Sequence, residues 1–234
     1  MILSRDHKEE WRQTLALLPG GQGPPEESWG RLAQRLRAME EYRRAKRVFV
    51  GPAAILAQIR INVLLDGKEL VMPAPGLKEG FYLCRPYVIP FTDLGYATTY
   101  KGLPKFGRLL DNRALAKLPV DLLVTDAKAV DRQGGRLGDG QGFFDLTCAI
   151  LAELGVLDPG RATIMAVAGD QQLVDELPTD PWDVRLHGLI TPASEYRFSR
   201  DEGGRPTLLW QYLPLDRVRR FNPLWRLHGE RRAE

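Results

Sequence analysis

Apolar and polar positions alternate along the chain in two rhythms, one of helical and one of strand spacing. Trp11, Leu15 and Leu18 line one side of a helix over residues 6–18, with Asp6 as its cap and Pro19-Gly20-Gly21 as its stop. Pro24-Pro25-Glu26-Glu27 opens a second helix running to about Arg44. Its buried side is Trp29, Leu32, Leu36 and Met39, and its arginine-rich side faces solvent. Lys46 to Val50 reads as a strand, Gly51-Pro52 turns the chain into a helix bearing Ile55, Ile59, Val63 and Leu64, and Asp66-Gly67 closes it. Lys68 to Pro73 is the next strand, so this stretch forms a βαβ unit with an expected right-handed crossover. Gly80 to Cys84 reads as one more strand. From Arg85 to Leu109 the pattern dissolves into Pro, Gly and aromatic residues, and this segment is either a lid or an insertion.

Pro119 to Thr125 is a short apolar run of the kind found in a buried parallel strand. Beyond a glycine-rich stretch, Leu146, Ala149, Ile150 and Leu154 mark a helix that Gly155 ends. Ala162 to Val167 and Leu186 to Ile190 are further strands, separated by a short helix or turn over Asp170 to Leu177 and a polar connector from Pro178 to Asp183. This alternation predicts an α/β fold, a three-layer domain whose mainly parallel sheet is flanked by helices. The predicted division is residues 1–199 as that domain and residues 200–234 as a basic C-terminal extension. That extension either packs on the body or trails from it: Leu208 to Leu213 is apolar, and Pro223 to Leu227 is the stretch suited to packing back.

The 234 residues suffice for one large domain, and the net charge of +3 is mild, with much of the excess in the arginines from Arg217 to Arg232. Aromatic residues are not interleaved with those charges and no nucleic-acid motif is present, which argues against a nucleic-acid partner. Cys84 and Cys148 lie far apart without a CxxC spacing, so neither a disulfide framework nor a zinc site is signalled. The N-terminus becomes charged too soon for a signal peptide and no apolar run reaches membrane-spanning length. A soluble cytoplasmic protein, a monomer or a homodimer, is expected.

The candidate chemistry lies in Gly134-Gly135-Arg136-Leu137-Gly138-Asp139-Gly140-Gln141-Gly142-Phe143-Phe144-Asp145. Glycines alternating with polar residues leave backbone N–H groups accessible to an anion, and the helix that follows adds its own unpaired N–H groups and dipole. The GxGxG spacing matches neither the dinucleotide-binding GxGxxG nor the GxxxxGK[ST] loop. Lys8 and Arg12, one helical turn apart, carry their charges side by side, a pairing suited to one polyanion or to a solvated face. His187 and His228 sit in no recognisable acid–base constellation.

Lys8-x-x-Trp11-Arg12, the block from Arg136 to Asp145, and Leu177-Pro178 followed by Trp182-Asp183 together resemble the 5-formyltetrahydrofolate cyclo-ligase (methenyltetrahydrofolate synthetase) family. Its longer, divergent members are similar at Gln58-Ile59-Arg60, Asp66-Gly67-Lys68, Asp170-Gln171-Gln172 and Ile190-Thr191-Pro192. The resemblance spans roughly Lys8 to Pro192. It implies a ligase of folate and one-carbon metabolism that uses ATP and Mg²⁺ to close 5-formyltetrahydrofolate to 5,10-methenyltetrahydrofolate with release of ADP and phosphate. The resemblance also implies the residue roles. Lys8, Arg12, Arg136, Leu137 and the loop Gly138, Asp139, Gly140, Gln141, Gly142 would hold the triphosphate. Phe143 and Phe144 would flank the nucleotide or the pterin, Gln58 and Arg60 would meet the substrate, and Asp145 and Asp183 would sit at the metal, with Arg136 and Asp145 catalytic. Three departures from the family pattern stand out. Asp139 and Gln141 replace the basic residue between loop glycines, Phe143-Phe144 replaces a tyrosine pair, and Ala53-Ala54-Ile55-Leu56 lacks the glutamate expected after the first strand. Arg60, Arg85 and Lys128 are the basic side chains available to compensate in the loop. The alternative these departures leave open is a family member that binds a nucleotide or pterin without turnover, or acts on another heterocycle.

Overall fold

In the computed structural model, which describes residues 3–17, 21, 23–158, 160–200 and 205–232, the chain builds one large sheet and one small one. In chain order the elements are α1 (Leu3–Leu17), α2 (Trp29–Ala38), α3 (Glu40–Arg44), β1 (Arg47–Val50), α4 (Ala57–Leu65), β2 (Glu69–Pro73), β3 (Phe81–Cys84), α5 (Leu94–Ala97), α6 (Leu103–Phe106), β4 (Arg108–Leu110) and α7 (Asn112–Leu115). They continue with β5 (Leu122–Asp126), β6 (Ala129–Asp131), β7 (Arg136–Leu137), α8 (Phe143–Glu153), β8 (Thr163–Val167), β9 (Leu173–Val174), β10 (Gly188–Ile190), β11 (Glu195–Arg197), α9 (Leu215–Arg219) and α10 (Asn222–Arg231).

The large sheet has the order β11-β10-β8-β5-β1-β2-β3-β4. Its five central strands are parallel, β11 at one edge and β3 at the other run antiparallel to them, and β4 pairs antiparallel with β3 beyond. Side chains from one strand divide between its two faces. Val48 and Val50 of β1, Leu122 and Val124 of β5, and Met165 and Val167 of β8 pack with α2 and α4 residues such as Leu32, Leu36, Ile59 and Val63. Phe49, Leu123, Ile164 and Ala166 face the opposite way, onto Cys148, Ile150 and Leu151 of α8 and onto Leu208, Val218, Phe221, Leu224 and Leu227 near the C-terminus. Burial on both faces is why these strands read as unbroken apolar runs. The result is the mixed α/β fold with a mainly parallel sheet that the alternation predicts.

Several elements differ from the sequence reading, each for a local reason. The first helix begins upstream of Asp6, which lies in its first turn, and Leu18 falls outside the described residues. The second helix breaks at Met39, whose extended backbone separates α2 from α3. Residues 85–109 form α5 and α6 and lead into β4, burying Ile89, Leu94, Ala97 and Leu103 in the core, so this segment packs as part of the body beside the β3 edge of the sheet. The stretch over residues 170–177 is a single turn at Asp170–Gln172 followed by β9. Between β5 and the glycine loop the chain makes an extra hairpin, β6 with β7, which pairs with β9 as the small sheet. Among the described residues no helix is long and apolar enough to cross a membrane.

Candidate functional site

The β6–β7 hairpin decides where Arg136 points. Its turn is held by buried Asp131, whose Oδ1 accepts from the backbone amides of Gln133 at 2.9 Å and Gly135 at 2.7 Å, and whose Oδ2 accepts from Leu177 N at 3.3 Å. Gly134 and Gly135 serve this turn: a methyl group at Gly135 would lie 2.3 Å from Asp131 Oδ2, and one at Gly134 would lie 2.5 Å from Leu186 O. Both are therefore tied to the hairpin, whereas Gly138, Gly140 and Gly142 belong to the loop beyond it.

Arg136 leaves the hairpin at the carboxyl end of β5, where its Nη1 donates to Asp126 O at 3.3 Å. Its Nη2 donates to Asp145 Oδ2 at 3.0 Å, on the first turn of α8, and the guanidinium lies 4.8 Å above the Phe144 ring. The two charged side chains are 6% and 15% exposed, so this ion pair is nearly dry. Asp145 Oδ1 accepts from Val184 N at 3.1 Å, which ties the connector carrying Asp183 to the helix. Arg136 Nε is buried with no hydrogen-bond partner among the described residues.

Two further cations come from α1. Arg12 Nε donates to Gly138 O at 2.9 Å, and its Nη1 donates to Glu9 Oε2 at 3.0 Å. Lys8 Nζ reaches Asp180 Oδ2 at 2.7 Å and also Asp183, whose Oδ2 accepts from Asp180 N at 2.6 Å. Burial pushes the Asp183 carboxyl above its ordinary range, the hydrogen bond from Lys8 pulls it back, and the charge of Asp145 raises it further. Among the described residues no three His, Cys, Asp or Glu side chains form a metal-binding group, but a Mg²⁺ ion that shares phosphate oxygens needs only one or two carboxylates.

The loop glycines are where these cations meet the backbone. A methyl group at Gly138 would lie 2.7 Å from Arg136 Nη1, one at Gly140 would lie 3.2 Å from Arg12 Cζ, and one at Gly142 would lie 3.3 Å from Arg217 Nη2. Gly140 and Gly142 also take positive φ, +90° and +67°, which L side chains rarely adopt. Gly142 is the N-cap of α8, whose first amides find no partner within the helix. Asp139 Oδ1 accepts from Gln141 N at 2.9 Å, so this exposed carboxylate folds back to brace its own loop. Anionic oxygens placed at this loop would meet guanidinium groups and unpaired amides together.

The other expected residues divide. Leu137 is a buried residue of a small core cluster with Leu15, Ala129 and Leu177. Phe144 packs against Phe49, with ring centroids 6.3 Å apart, and forms the floor under Arg136; Phe143 meets Phe221 edge-on at 6.1 Å. Arg60 is buried at the carboxyl end of β1, where its Nη1 donates to Gly51 O and Ala53 O at 2.8 and 2.9 Å. Burial lowers its pKa to about 10, opposed by the nearby Tyr100. Gln58 is exposed on the same helix and donates to Asn62 Oδ1 at 2.9 Å. Arg85 follows the β3 residue paired with Leu70 and lies 3.7 Å from Glu69, at the amino end of the parallel strands and away from the loop; Lys128 is exposed. Sequence reasoning missed Asp180, whose spacing of three from Asp183 in a Pro-flanked turn was available as a signal, and Arg217, for which no signal exists in the motif.

Comparison with known proteins adds three findings. The model of the 5-formyltetrahydrofolate cyclo-ligase family matches residues 8–192. A human methenyltetrahydrofolate synthase domain-containing protein is 28% identical over 165 residues, covering 68% of this chain and 42% of that protein, and its bovine counterpart is 27% identical, with 43% of it covered. This chain thus spans under half the length of those relatives. A 5-formyltetrahydrofolate cyclo-ligase from Mycolicibacterium smegmatis is 40% identical over 72 residues, 31% of this chain and 34% of that enzyme. Among solved structures, the Aquifex aeolicus 5,10-methenyltetrahydrofolate synthetase superposes with a TM-score of 0.55 at 21% identity, covering 88% of this chain and 95% of that one, a likeness of fold.

Proposed function

The chain belongs to the 5-formyltetrahydrofolate cyclo-ligase family, and on that premise we propose that it is a ligase of folate metabolism that uses ATP and Mg²⁺ to close 5-formyltetrahydrofolate to 5,10-methenyltetrahydrofolate. The convergence of Arg12 and Arg136 on the glycines of the loop that opens α8 carries the proposal. ATP bound with Mg²⁺ would supply the phosphoryl group that turns the formyl oxygen into a leaving group, after which N10 attacks the formyl carbon and phosphate departs. Phosphoryl transfer asks the protein mainly for positioning and charge neutralisation. Lys8, Arg12, Arg136 and the amides around Gly138, Gly140 and Gly142 have the chemistry for holding the triphosphate. Asp145 and Asp183, paired here with Arg136 and Lys8, would be the carboxylates offered to Mg²⁺ once phosphate oxygens take over those cations. Gln58 and Arg60 stand at the carboxyl end of β1, where the substrate would lie. Phe144 fixes the plane of Arg136 from below, and Phe143 ties the helix start to the C-terminal segment.

One observation favours a second reading, binding without this turnover or a different heterocycle. The carbonyls of Gly51 and Ala53 are occupied by Arg60, and residues 53–56 carry no carboxylate to accept from a pterin amino group. A single spectrophotometric assay separates the two. Purified protein with 5-formyltetrahydrofolate and Mg-ATP, followed for the methenyl product against an ATP-free control, is expected to give ATP-dependent product. ATP binding by calorimetry with no product and no phosphate release would establish the second reading.

A further inference from the structure

We propose that Arg217, from the C-terminal segment outside the family-matched residues, is a polyphosphate-binding residue that completes the anion site. The inference rests on the reading of the glycine loop as a triphosphate site and names a ligand group that reading lacks.

Arg217 lies on α9, where Val218 is buried in the main core and Phe221 just beyond meets Phe143 at the start of α8. This anchoring aims the guanidinium at the loop: Nη2 donates to Gln141 O at 3.1 Å and stands 3.3 Å from where a Gly142 methyl would be. The other arginines of the stretch are turned elsewhere, Arg219 over the Trp225 ring at 5.7 Å and Arg220 to Asp216 at 3.5 Å.

The charge balance gives Arg217 its significance. Lys8 is held by Asp180 and Asp183, Arg12 by Glu9, and Arg136 by Asp145, so each of these cations already faces a carboxylate. Among the described residues no carboxylate forms an ion pair with Arg217. The loop from Gly138 to Phe144 carries no basic side chain of its own and adds the carboxylate of Asp139. An incoming polyphosphate therefore meets an uncompensated positive charge at Arg217. Near Gly138 the guanidinium of Arg136, whose side chain is 6% exposed, keeps a buried Nε with no hydrogen-bond partner among the described residues.

The test is isothermal titration of the full chain with Mg-ATP and, separately, with inorganic tripolyphosphate at fixed ionic strength. Losing one charge-assisted contact should raise both dissociation constants of Arg217→Gln by about ten- to a hundred-fold, with Arg217→Lys in between. Hydrogen exchange on the wild-type chain supplies a readout that needs no variant: tripolyphosphate should slow exchange over residues 213–221. Unchanged affinity in Arg217→Gln, or unchanged exchange over that stretch in a wild-type chain that does bind tripolyphosphate, would overturn the role of Arg217 and leave the triphosphate site standing. A wild-type chain that binds neither Mg-ATP nor tripolyphosphate would overturn both.

Discussion

Replacing Asp145 by Asn tests the geometry at its most constrained point. The aspartate accepts two hydrogen bonds at once, from Arg136 Nη2 at 3.0 Å and from Val184 N at 3.1 Å, using a different oxygen for each. Asparagine has one acceptor oxygen, so its amide NH₂ must face either a guanidinium or a backbone N–H, donor against donor. One bond is lost, the charge of the other is lost, and Arg136 remains buried with its positive charge no longer matched. Hydrogen bonds to charged groups contribute about 1.5 to 3 kcal/mol, and removing one partner of a buried pair costs about 3 to 5 kcal/mol. Because Asp145 is 15% exposed, the lower end applies, about 3 kcal/mol. For a chain of this size each kcal/mol moves the melting temperature by about 2 to 4 °C, so Asp145→Asn should melt about 6 to 12 °C below wild type by calorimetry. The double variant Arg136→Gln, Asp145→Asn removes both charges, and its loss should fall short of the summed single losses by at least about 1 kcal/mol. Turnover in the cyclo-ligase assay should vanish in the single variant. Additive losses, or a single variant melting with wild type, would refute the dry ion pair, and full turnover would remove Asp145 from the active site.

Gly138→Ala isolates the contact between loop and guanidinium, because this glycine carries no positive-φ constraint while its new methyl would stand 2.7 Å from Arg136 Nη1; Mg-ATP affinity should fall at least about tenfold, and titration of the variant gives the answer. His187 supplies a pH prediction. Burial, with Arg200 adding to it, lowers its pKa to about 4, and its Nδ1 accepts from Ile164 N at 3.0 Å. The unfolded chain protonates first, near pH 6.5, so this contribution is full above that value and is lost as pH falls towards about 4, up to about 3 kcal/mol. Urea unfolding between pH 7.5 and 4.5 should show the decline in wild type and a flatter profile in His187→Asn, whose side-chain oxygen still accepts; parallel profiles would exclude His187 as the source.

Much of the frame was legible because buried parallel strands are apolar on both faces, and Val48 to Val50, Leu122 to Val124 and Ile164 to Val167 advertise this without any alternation to misread. The start of α8 was equally legible, since Gly142 and the apolar positions after it form a helix entry in one short window. The β6–β7 hairpin was not. Each strand is only two or three residues long, and its turn is specified by Asp131 reaching both Gly135 and Leu177, contacts that exist only after folding. The break at Met39 has no proline or glycine to announce it. In the site, Lys8, Arg12 and Arg136 carried a pattern, but their carboxylate partners Asp180 and Glu9 did not, because polar neighbours at those positions read equally well as solvent-facing charge. Arg217 is the extreme case: 76 residues separate it from Gln141, and only tertiary packing brings the two together.

The glycine loop can be explained in two ways, and the structure decides how they combine. From sequence, Gly138, Gly140 and Gly142 keep side chains away so that an anion can reach backbone amides. In the folded chain the space each glycine leaves open lies against a guanidinium: Arg136 at Gly138, Arg12 at Gly140 and Arg217 at Gly142. The glycines therefore admit cations first. A guanidinium set against a loop carbonyl is fixed in orientation: Arg217 is held on Gln141 O through Nη2 alone, and Arg12 is held on Gly138 O through Nε and on Glu9 through Nη1, so each still has N–H groups for a ligand. On the proposed reading, that arrangement would give the loop most of its attraction for phosphate through side chains delivered by α1, β7 and α9, three elements far apart in sequence. A motif conferring anion affinity through amides alone would tolerate removal of any one of these elements; this one would not, and the dependence of the loop on its arginines follows from the backbone positions where a methyl group cannot fit.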